Sequence, residues 1–271
     1  MAVAAGILVV LIGSAAGLAV VLDPLLDIRI ATYFQTPGVK AAVEPLTPLF
    51  NTLRDYNLAL TVAFVLLSFC ALALKTVWPR GPMLVPARAA LLILSVFALG
   101  PALLANGILK PHGGRPRPAA VVELGGTQPF VQWWDWRGEC DGNCSFVSGE
   151  ASAAYALLAP AAVVPAPWRV VAIGAAIAYG TAMGVLRIAV GAHFLTDVIF
   201  AGLFMALIVW LLHGCIYRWR RTRLTEESAQ QAIEGGRVLA RSALLRSRSA
   251  ALSRWTAQGY PLLARVKRPR R

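Results

Sequence analysis

The sequence predicts an all-α membrane protein, a six-helix transmembrane bundle with polar side chains gathered at its outer face. Hydrophobic residues make up 58% of the 271 residues and charged residues 14%, whereas a soluble domain carries about a quarter charged residues. The mean hydropathy is +0.63. The apolar residues form long charge-free blocks and not the periodic stripes of soluble helices or strands. Together these observations indicate helices that cross a lipid bilayer.

Six apolar blocks are each near the length of roughly 17–25 residues that a helix needs to cross the hydrocarbon core. No basic segment precedes the first block and no clear cleavage site follows it, so we interpret it as a retained helix and not as a signal peptide. Pro165 and Pro167 lie in the short turn between the fourth block and the fifth. The six predicted helices are 2–22, 57–74, 89–109, 146–164, 170–186 and 198–216.

Lysine and arginine residues predict which loops are cytoplasmic. Lys75, Arg80 and Arg88 lie between the second and third blocks without an acidic residue, and residues 217–271 contain 14 basic and three acidic residues. Both segments are predicted to be cytoplasmic, which six crossings allow only if the N-terminus is cytoplasmic too. The polar loops then face the outside, at 23–57, 110–146 and 187–197.

The chain therefore divides into a transmembrane domain, residues 1–216, and a basic cytoplasmic tail, residues 217–271. Basic residues directly after a last helix are typical of a contact with anionic lipid headgroups. The tail shows no nucleic-acid recognition motif, so the predicted partner is the membrane and not a nucleic acid. The sequence does not predict an oligomeric state.

Two of the four cysteines share the second outer loop, in the stretch ECDGNCS. An oxidising exterior predicts a disulfide between Cys140 and Cys144. A zinc site would need further ligands, and this loop offers only His112. Cys70 and Cys215 lie in apolar blocks, where we interpret them as packing residues.

Three outer segments concentrate the remaining polar residues, and each opens or closes a predicted helix. They read KPHGGRPRP, SFVSGE and LRIAVGAHFLTD. Lys110, Arg117 and Arg187 supply fixed positive charge that suits a dianion. The backbone amides around Ser148 and Gly149 begin a helix and are predicted to point at an anion.

His193 and Asp197 are four residues apart, which is one helical turn. The carboxylate can therefore hold one ring nitrogen of the histidine and leave the other facing the cations. An oriented histidine beside a phosphate-sized cluster of cations is typical of a phosphoryl-transfer site that needs no metal or other cofactor. Each segment alone would be interpreted as a headgroup anchor or a helix cap; their meeting at one face favours a site.

The spacings resemble the signature of the integral-membrane type 2 phosphatidic acid phosphatase superfamily, which is Lys-x6-Arg-Pro, Pro-Ser-Gly-His and Ser-Arg-x5-His-x3-Asp. This chain reads Lys110-x6-Arg117-Pro118, Val147-Ser148-Gly149-Glu150 and Leu186-Arg187-x5-His193-x3-Asp197. The resemblance spans about residues 57–216 and is greatest to the bacterial lipid A phosphatases. It implies a metal-independent phosphatase of the bacterial inner membrane, which hydrolyses a lipid phosphomonoester or pyrophosphate at the periplasmic face.

The resemblance also implies a role for each matching residue. His193 would attack phosphorus and become a phosphohistidine, with Asp197 raising its basicity. Five residues would hold the phosphoryl oxygens as charge develops: Lys110, Arg117, Ser148, Gly149 and Arg187.

Glu150 departs from the family pattern, which has a histidine there that protonates the leaving oxygen. Leu186 and Val147 depart from it too, where the family has serine and proline. We consider three interpretations of Glu150. It is the general acid, or it stabilises a helix N-terminus and pairs with Arg115 or Arg117, or the site binds phosphate without turnover.

The retention of both His193 and Asp197 favours the first interpretation. His112 is a weaker candidate for the acid, because it belongs to a turn rich in proline and glycine. Two other functions stay open on the sequence: a non-catalytic lipid-phosphate binding or transport protein, and a lipid phosphotransferase that uses the same site. Three tryptophans of the outer loop are predicted to anchor it at the interface or to stack on a sugar: Trp133, Trp134 and Trp136.

Overall fold

A computed structural model of the chain describes residues 15, 19, 23, 25–79 and 81–235. The described residues are helices joined by turns and loops and contain no β-strand. The helices are α1 (Leu26–Gln35), α2 (Pro37–Val43), α3 (Thr47–Val77), α4 (Ala87–His112), α5 (Gly149–Tyr155), α6 (Leu158–Val163), α7 (Ala166–Ala189) and α8 (Leu195–Arg218). A further helical stretch occupies residues 226–235. The all-α class is confirmed.

Among the described residues, four helical stretches are long and apolar enough to cross a membrane: Pro37–Val77, Ala87–His112, Ala166–Ala189 and Leu195–Arg218. They contain the second, third, fifth and sixth predicted helices, so the chain is a multi-pass membrane protein. The first predicted helix, 2–22, lies almost wholly outside the described residues, as does the tail beyond residue 235. The count of six crossings therefore stays a prediction.

The fourth predicted helix, 146–164, differs most from its prediction. It forms two short helices, α5 and α6, and neither reaches the length of a membrane span. The break falls at Ala156 and Leu157, four and three residues before Pro160. Proline has no N–H to donate to the carbonyl four residues earlier, and its ring clashes with that carbonyl. Pro160 therefore accounts for the interruption.

The α4 helix is also irregular where it contains a proline. Its middle, Ala98–Leu109, is π-helical and includes Pro101. The side-chain amide of Asn106 donates to the Pro101 carbonyl at 2.7 Å within this irregular stretch. This stretch directs the end of α4 toward the start of α5.

Small residues let α7 and α8 approach closely. A Cβ atom added at Gly184 would lie 2.1 Å from Cγ1 of Val198, so alanine does not fit there without a shift of the two helices. Such small residues are typical of helix contacts inside membranes. The close approach places Arg187, near the end of α7, and His193, in the loop to α8, beside the first turn of α5.

An aromatic cluster lies under this loop. The ring of Trp133 packs 4.1 Å from Phe200 and 5.9 Å from Phe146, measured between ring centroids. Trp133 therefore packs in the core, whereas Trp134 and Trp136 are 44% and 51% exposed. The last two stay available as interfacial anchors.

The first part of the basic tail packs onto the opposite end of the bundle. Glu226 accepts hydrogen bonds from the backbone N–H groups of Ala87 at 2.5 Å and Arg88 at 3.4 Å. These amides begin α4 and have no acceptor within that helix. The Arg88 guanidinium also lies 4.0 Å from the centroid of the Tyr217 ring. Residues 217–235 are therefore part of the folded bundle.

Candidate active site

His193 is completely buried, and its ring orientation is set by a backbone group. Its Nδ1 lies 2.9 Å from the Ser145 carbonyl oxygen. Because a carbonyl only accepts, Nδ1 carries a proton. When the ring is neutral, the lone pair is therefore on Nε2, which faces Glu150. His193 thus presents a nucleophilic nitrogen on the side where the acid lies.

Asp197 faces one ring nitrogen of His193, as we predicted, but that nitrogen has a nearer partner in the Ser145 carbonyl. Its Oδ2 lies 3.5 Å from His193 Nδ1, beyond hydrogen-bond distance. Instead Oδ2 accepts from the Ser145 hydroxyl at 2.5 Å and from the Phe194 N–H at 2.8 Å. Asp197 therefore positions His193 through Ser145, whose carbonyl binds the ring, and it also caps the first turn of α8.

A network of buried ion pairs stabilises the Asp197 carboxylate. Arg115 donates to Asp197 Oδ1 at 2.6 Å and to Asp27 Oδ2 at 2.7 Å, and all three side chains are 0–1% exposed. Thr196 adds two hydrogen bonds to Asp27, from its N–H at 3.0 Å and its hydroxyl at 2.5 Å. Asp27 was not predicted as part of the site, because it lies 169 residues before Thr196 and no sequence spacing links the two residues.

Replacing Arg115 by methionine should strongly destabilise the protein, because it leaves two carboxylates buried without a counter-charge. Loss of one partner of a buried ion pair costs about 3–5 kcal/mol, and the network contains two such pairs. Melting of the detergent-solubilised protein measures the effect. Arg137→Met is the matched control, because Arg137 pairs with Asp135 at the surface, where ion pairs contribute about 0–1 kcal/mol. Equal melting of Arg115→Met and wild type would contradict the account.

Glu150 faces the His193 ring. Its Oε2 lies 3.6 Å from His193 Nε2, and its Oε1 lies 3.7 Å from Arg187 Nη2. Burial raises the pKa of the Glu150 carboxyl, but the neighbouring His193 ring and the charge of Arg187 outweigh burial and hold that pKa well below its usual range. The carboxyl is therefore ionised in the substrate-free protein.

The structure corrects the partners suggested for a structural Glu150. Arg115 is committed to the buried network. Arg117 donates to the Asn143 side-chain oxygen at 2.8 Å and to its backbone carbonyl at 3.1 Å. The ion pair of Glu150 is with Arg187 and not with either of these arginines.

Lys110 completes the cationic side of the site, and its ammonium lies against Gly149. A Cβ at position 149 would be 2.8 Å from Lys110 Nζ and 3.0 Å from Asn106 Oδ1. Only glycine leaves the ammonium its place beside the first turn of α5. This explains why a glycine precedes Glu150.

Gly149→Ala should therefore displace Lys110 and lower catalytic efficiency by about tenfold to a hundredfold, the scale of a misplaced positioning group. The expected loss is in phosphate affinity as well as in rate, since a cation moves. Titration with vanadate or inorganic phosphate checks the affinity. Gly174→Ala is the control, because a Cβ at Gly174 meets nothing within 4 Å. An alanine variant at 149 with unchanged phosphate affinity would refute this role.

Ser148 is tied into the fold at both of its polar groups. Its hydroxyl oxygen accepts from the Ala151 N–H at 3.3 Å as the N-cap of α5, and its own N–H donates to the Asp197 carbonyl at 3.2 Å. The backbone amide is thus not aimed at an anion, in contrast to our prediction. The hydroxyl proton can still be donated to a phosphoryl oxygen.

The loop before α5 is held beside the site by the Cys140–Cys144 disulfide, whose Cα atoms are 5.8 Å apart. The Cys144 N–H donates to the Lys110 carbonyl at 3.1 Å, and the Ser145 N–H donates to the Arg115 carbonyl at 2.9 Å. His112 is exposed and away from this arrangement. Within residues 25–79 and 81–235, no group of three or more His, Cys, Asp or Glu side chains could hold a metal ion.

Comparison with known proteins gives a consistent result. Residues 88–221 match the sequence model of the PAP2 superfamily. A lipid A 4'-phosphatase of Francisella tularensis subsp. novicida is 36% identical over 121 residues, which are 44% of this chain and 54% of the relative. Lipid A 4'-phosphatases of Rhizobium etli and Rhizobium leguminosarum are 41% and 39% identical over 105 and 106 residues, each 39% of this chain and 41% and 46% of the relatives.

The chain spans about half the length of the curated relatives it matches. No solved structure matches it.

Proposed function

Because residues 88–221 match the sequence model of the PAP2 superfamily, we propose that the protein is a lipid phosphate phosphatase of the bacterial inner membrane. Its substrate is a phosphomonoester or pyrophosphate on a lipid headgroup, with lipid A as the first candidate, since three relatives are named lipid A 4'-phosphatase. The observation that carries the proposal is the buried His193, whose Nε2 faces the Glu150 carboxylate beside Arg187.

In the first step, Nε2 of His193 attacks phosphorus and the bond from phosphorus to the lipid oxygen breaks. Glu150 gives its proton to that oxygen, so the lipid leaves as an alcohol and His193 becomes a phosphohistidine. Lys110 and Arg187 stabilise the charge that develops on the phosphoryl oxygens. Nδ1 keeps its proton and its hydrogen bond to the Ser145 carbonyl, which holds the ring in its orientation.

In the second step, water attacks the phosphohistidine. The Glu150 carboxylate accepts a proton from the water as the phosphorus–nitrogen bond breaks. Inorganic phosphate leaves, and His193 recovers its lone pair on Nε2. The cations do here what a metal ion does in other phosphatases, since they fix positive charge around the phosphoryl group.

The proton for the leaving group is shared among His193, Glu150 and the bound phosphate. The pKa of Glu150 is below its usual range in the free protein, so at neutral pH Glu150 does not bring a proton of its own. The proton comes from the imidazole of His193 or from the phosphomonoester, whose second pKa is about 6. Whichever group brings it, one proton must be present in the complex.

We therefore expect kcat/KM to fall as pH rises above about 6, roughly tenfold for each pH unit. The rate falls because the phosphomonoester loses its second proton in that range, whereas Glu150 is ionised throughout it. Initial rates of phosphate release between pH 5 and 9 at constant ionic strength test this. A kcat/KM that is flat across that range would show that no such proton is needed.

The direct test of the proposed function is phosphate release by the purified protein in detergent, from a small panel of lipid phosphates and with EDTA present. Turnover should continue in EDTA, since the groups proposed to bind the phosphate are cationic side chains. Loss of activity on chelation that a divalent ion restores would refute the proposed site. Lipid binding without phosphate release would favour the non-catalytic alternative, and a phosphorylated second lipid in place of free phosphate would identify a phosphotransferase.

A further inference from the structure

A cavity of about 650 Å³ extends from the candidate site between α3, α4 and α5. It shares Lys110, Gly149 and Glu150 with the site, so it is continuous with the place proposed for the phosphate. Its other walls are largely apolar, with Leu58, Val65, Leu94 and Phe97 among them. A lipid whose phosphate is at Glu150 would place the rest of its headgroup here.

Asn57 is a polar residue in the wall of this cavity. The side chain is only 3% exposed, and its Nδ2 donates to the Glu150 backbone carbonyl at 3.0 Å. Because a carbonyl can only accept, the amide nitrogen must be on that side, which fixes Oδ1 as the other atom. Among the described residues, Oδ1 has no hydrogen-bond partner.

Thr61 repeats the pattern one helical turn further along α3. It also lines the cavity, and its buried hydroxyl oxygen has no partner among the residues that the structure describes. Buried polar groups of native proteins nearly always have a partner. Two such oxygens on one face of α3, both lining a cavity that joins the site, indicate a group that pairs with them when the cavity is filled.

We propose that Asn57 and Thr61 determine substrate specificity by hydrogen bonding to a hydroxyl or amide group of the lipid headgroup next to the phosphate. The inference rests on the proposed function and deepens it. An amide oxygen such as Asn57 Oδ1 accepts and cannot donate, so the preferred lipid carries a donor, either a free hydroxyl or an acylated amine. Because the same side chain holds Glu150 through Nδ2, it sets the distance between the donor group and the acid.

A lipid without a donor leaves the Asn57 oxygen unpaired in a cavity from which its apolar parts have displaced water. Sites that hydrogen-bond a substrate hydroxyl or amide reject analogues that lack it for this reason. The preference should therefore show as a ratio between two lipids with the same phosphate and different neighbouring groups.

The test compares ceramide 1-phosphate, which has an amide N–H and a hydroxyl near its phosphate, with phosphatidic acid of matched chain length, which has neither. The full chain in mixed micelles is assayed for phosphate release from each lipid. The readout is the ratio of the two kcat/KM values, which wild type should hold at about tenfold in favour of the donor lipid. Damage to the shared catalytic groups lowers both rates and leaves this ratio unchanged.

Four variants separate the roles. Thr61→Val keeps the shape and removes the hydroxyl, and should lower the ratio by about threefold to fivefold. Asn57→Leu should lower the ratio of the two kcat/KM values to about one. Asn57→Asp keeps an acceptor but loses the bond to the Glu150 carbonyl, so both rates should fall while the ratio stays high. Thr76→Val is the control and should change neither the two rates nor their ratio. Thr76 lies at the far end of α3, and its hydroxyl donates to the Ala73 carbonyl at 2.6 Å.

The same lipids are also titrated against these variants in a His193→Ala background, which separates recognition from turnover. If the protein binds lipid phosphates without releasing phosphate, the proposed function fails and the ratio of the two dissociation constants still tests this inference. A ratio that neither Thr61→Val nor Asn57→Leu lowers, in turnover or in binding, overturns it.

Discussion

Replacing His193 by alanine should reduce phosphate release to the background of the detergent solution. Among the described residues near Glu150 and Arg187, His193 is the one nucleophilic side chain with a buried nitrogen free to attack. A carboxylate such as Glu150 is a weaker candidate, because Arg187 and His193 hold it as an anion whose charge repels the phosphate. Binding of a lipid phosphate should persist, since Lys110 and Arg187 are unchanged.

Labelled substrate makes this prediction more specific. With phosphorus-labelled lipid and rapid quenching at alkaline pH, where phosphohistidine survives, wild type should carry label on the protein and His193→Ala should not. His112→Ala is the matched control: it removes a histidine at the same face that is exposed and bonded to the Ile108 carbonyl, and it should retain wild-type turnover. Turnover at the wild-type rate by His193→Ala would show that the nucleophile is another group.

Sequence patterns were sufficient for the parts of this site that follow from local chemistry. Long apolar blocks predicted the four spans that the described residues contain, because a bilayer leaves few other options. Lys110, Glu150, Arg187 and His193 come together because each stands at the end or start of a helix on one face. Spacing alone could place them at that face. It could not give the direction of each side chain, and we therefore did not predict the protein partners of Arg117 and Ser148 in the substrate-free site.

The buried network of Asp27, Arg115 and Asp197 could not be predicted from the sequence. Asp27 and Arg115 are 88 residues apart and meet only because α1 packs against the loop after α4. Nothing in the periodicity of either segment marks them, since an acid in an outer loop and an arginine after a helix are ordinary surface residues. The broken fourth helix is a different case, because Pro160 stands in the sequence and was a usable signal.

The second large expected effect is that of replacing Glu150. The structure helps to distinguish the three interpretations of this residue. The 3.6 Å between Glu150 Oε2 and His193 Nε2 is close to the roughly 3–3.5 Å of a near-attack contact. A phosphoryl group therefore does not fit between them while the carboxylate stays in place. In the substrate-free protein the carboxylate takes up space proposed for the phosphate, beside Arg187, and must swing aside when substrate binds.

This geometry makes two effects of Glu150→Gln separable. Glutamine has the size of glutamate but carries no charge and no acidic proton. If Glu150 is the general acid, turnover should fall by roughly two to four orders of magnitude. Affinity for vanadate or inorganic phosphate should rise at the same time, because the anion no longer competes with a carboxylate for Arg187 and Lys110. Rate and affinity then move in opposite directions, which simple damage to the site cannot produce.

Glu150→His extends the argument, because it places the superfamily's usual residue beside His193. Part of the activity lost in Glu150→Gln should return. The pH optimum should move upward, since an imidazole at this position can bring its own proton at a pH where the Glu150 carboxyl is ionised. A purely structural Glu150 predicts the opposite pattern, in which glutamine leaves the rate intact and lowers the melting temperature by loss of the Arg187 pair. A degenerate site predicts no turnover by wild type and a gain with histidine. We expect the first pattern, and a Glu150→Gln variant with wild-type turnover would rule it out.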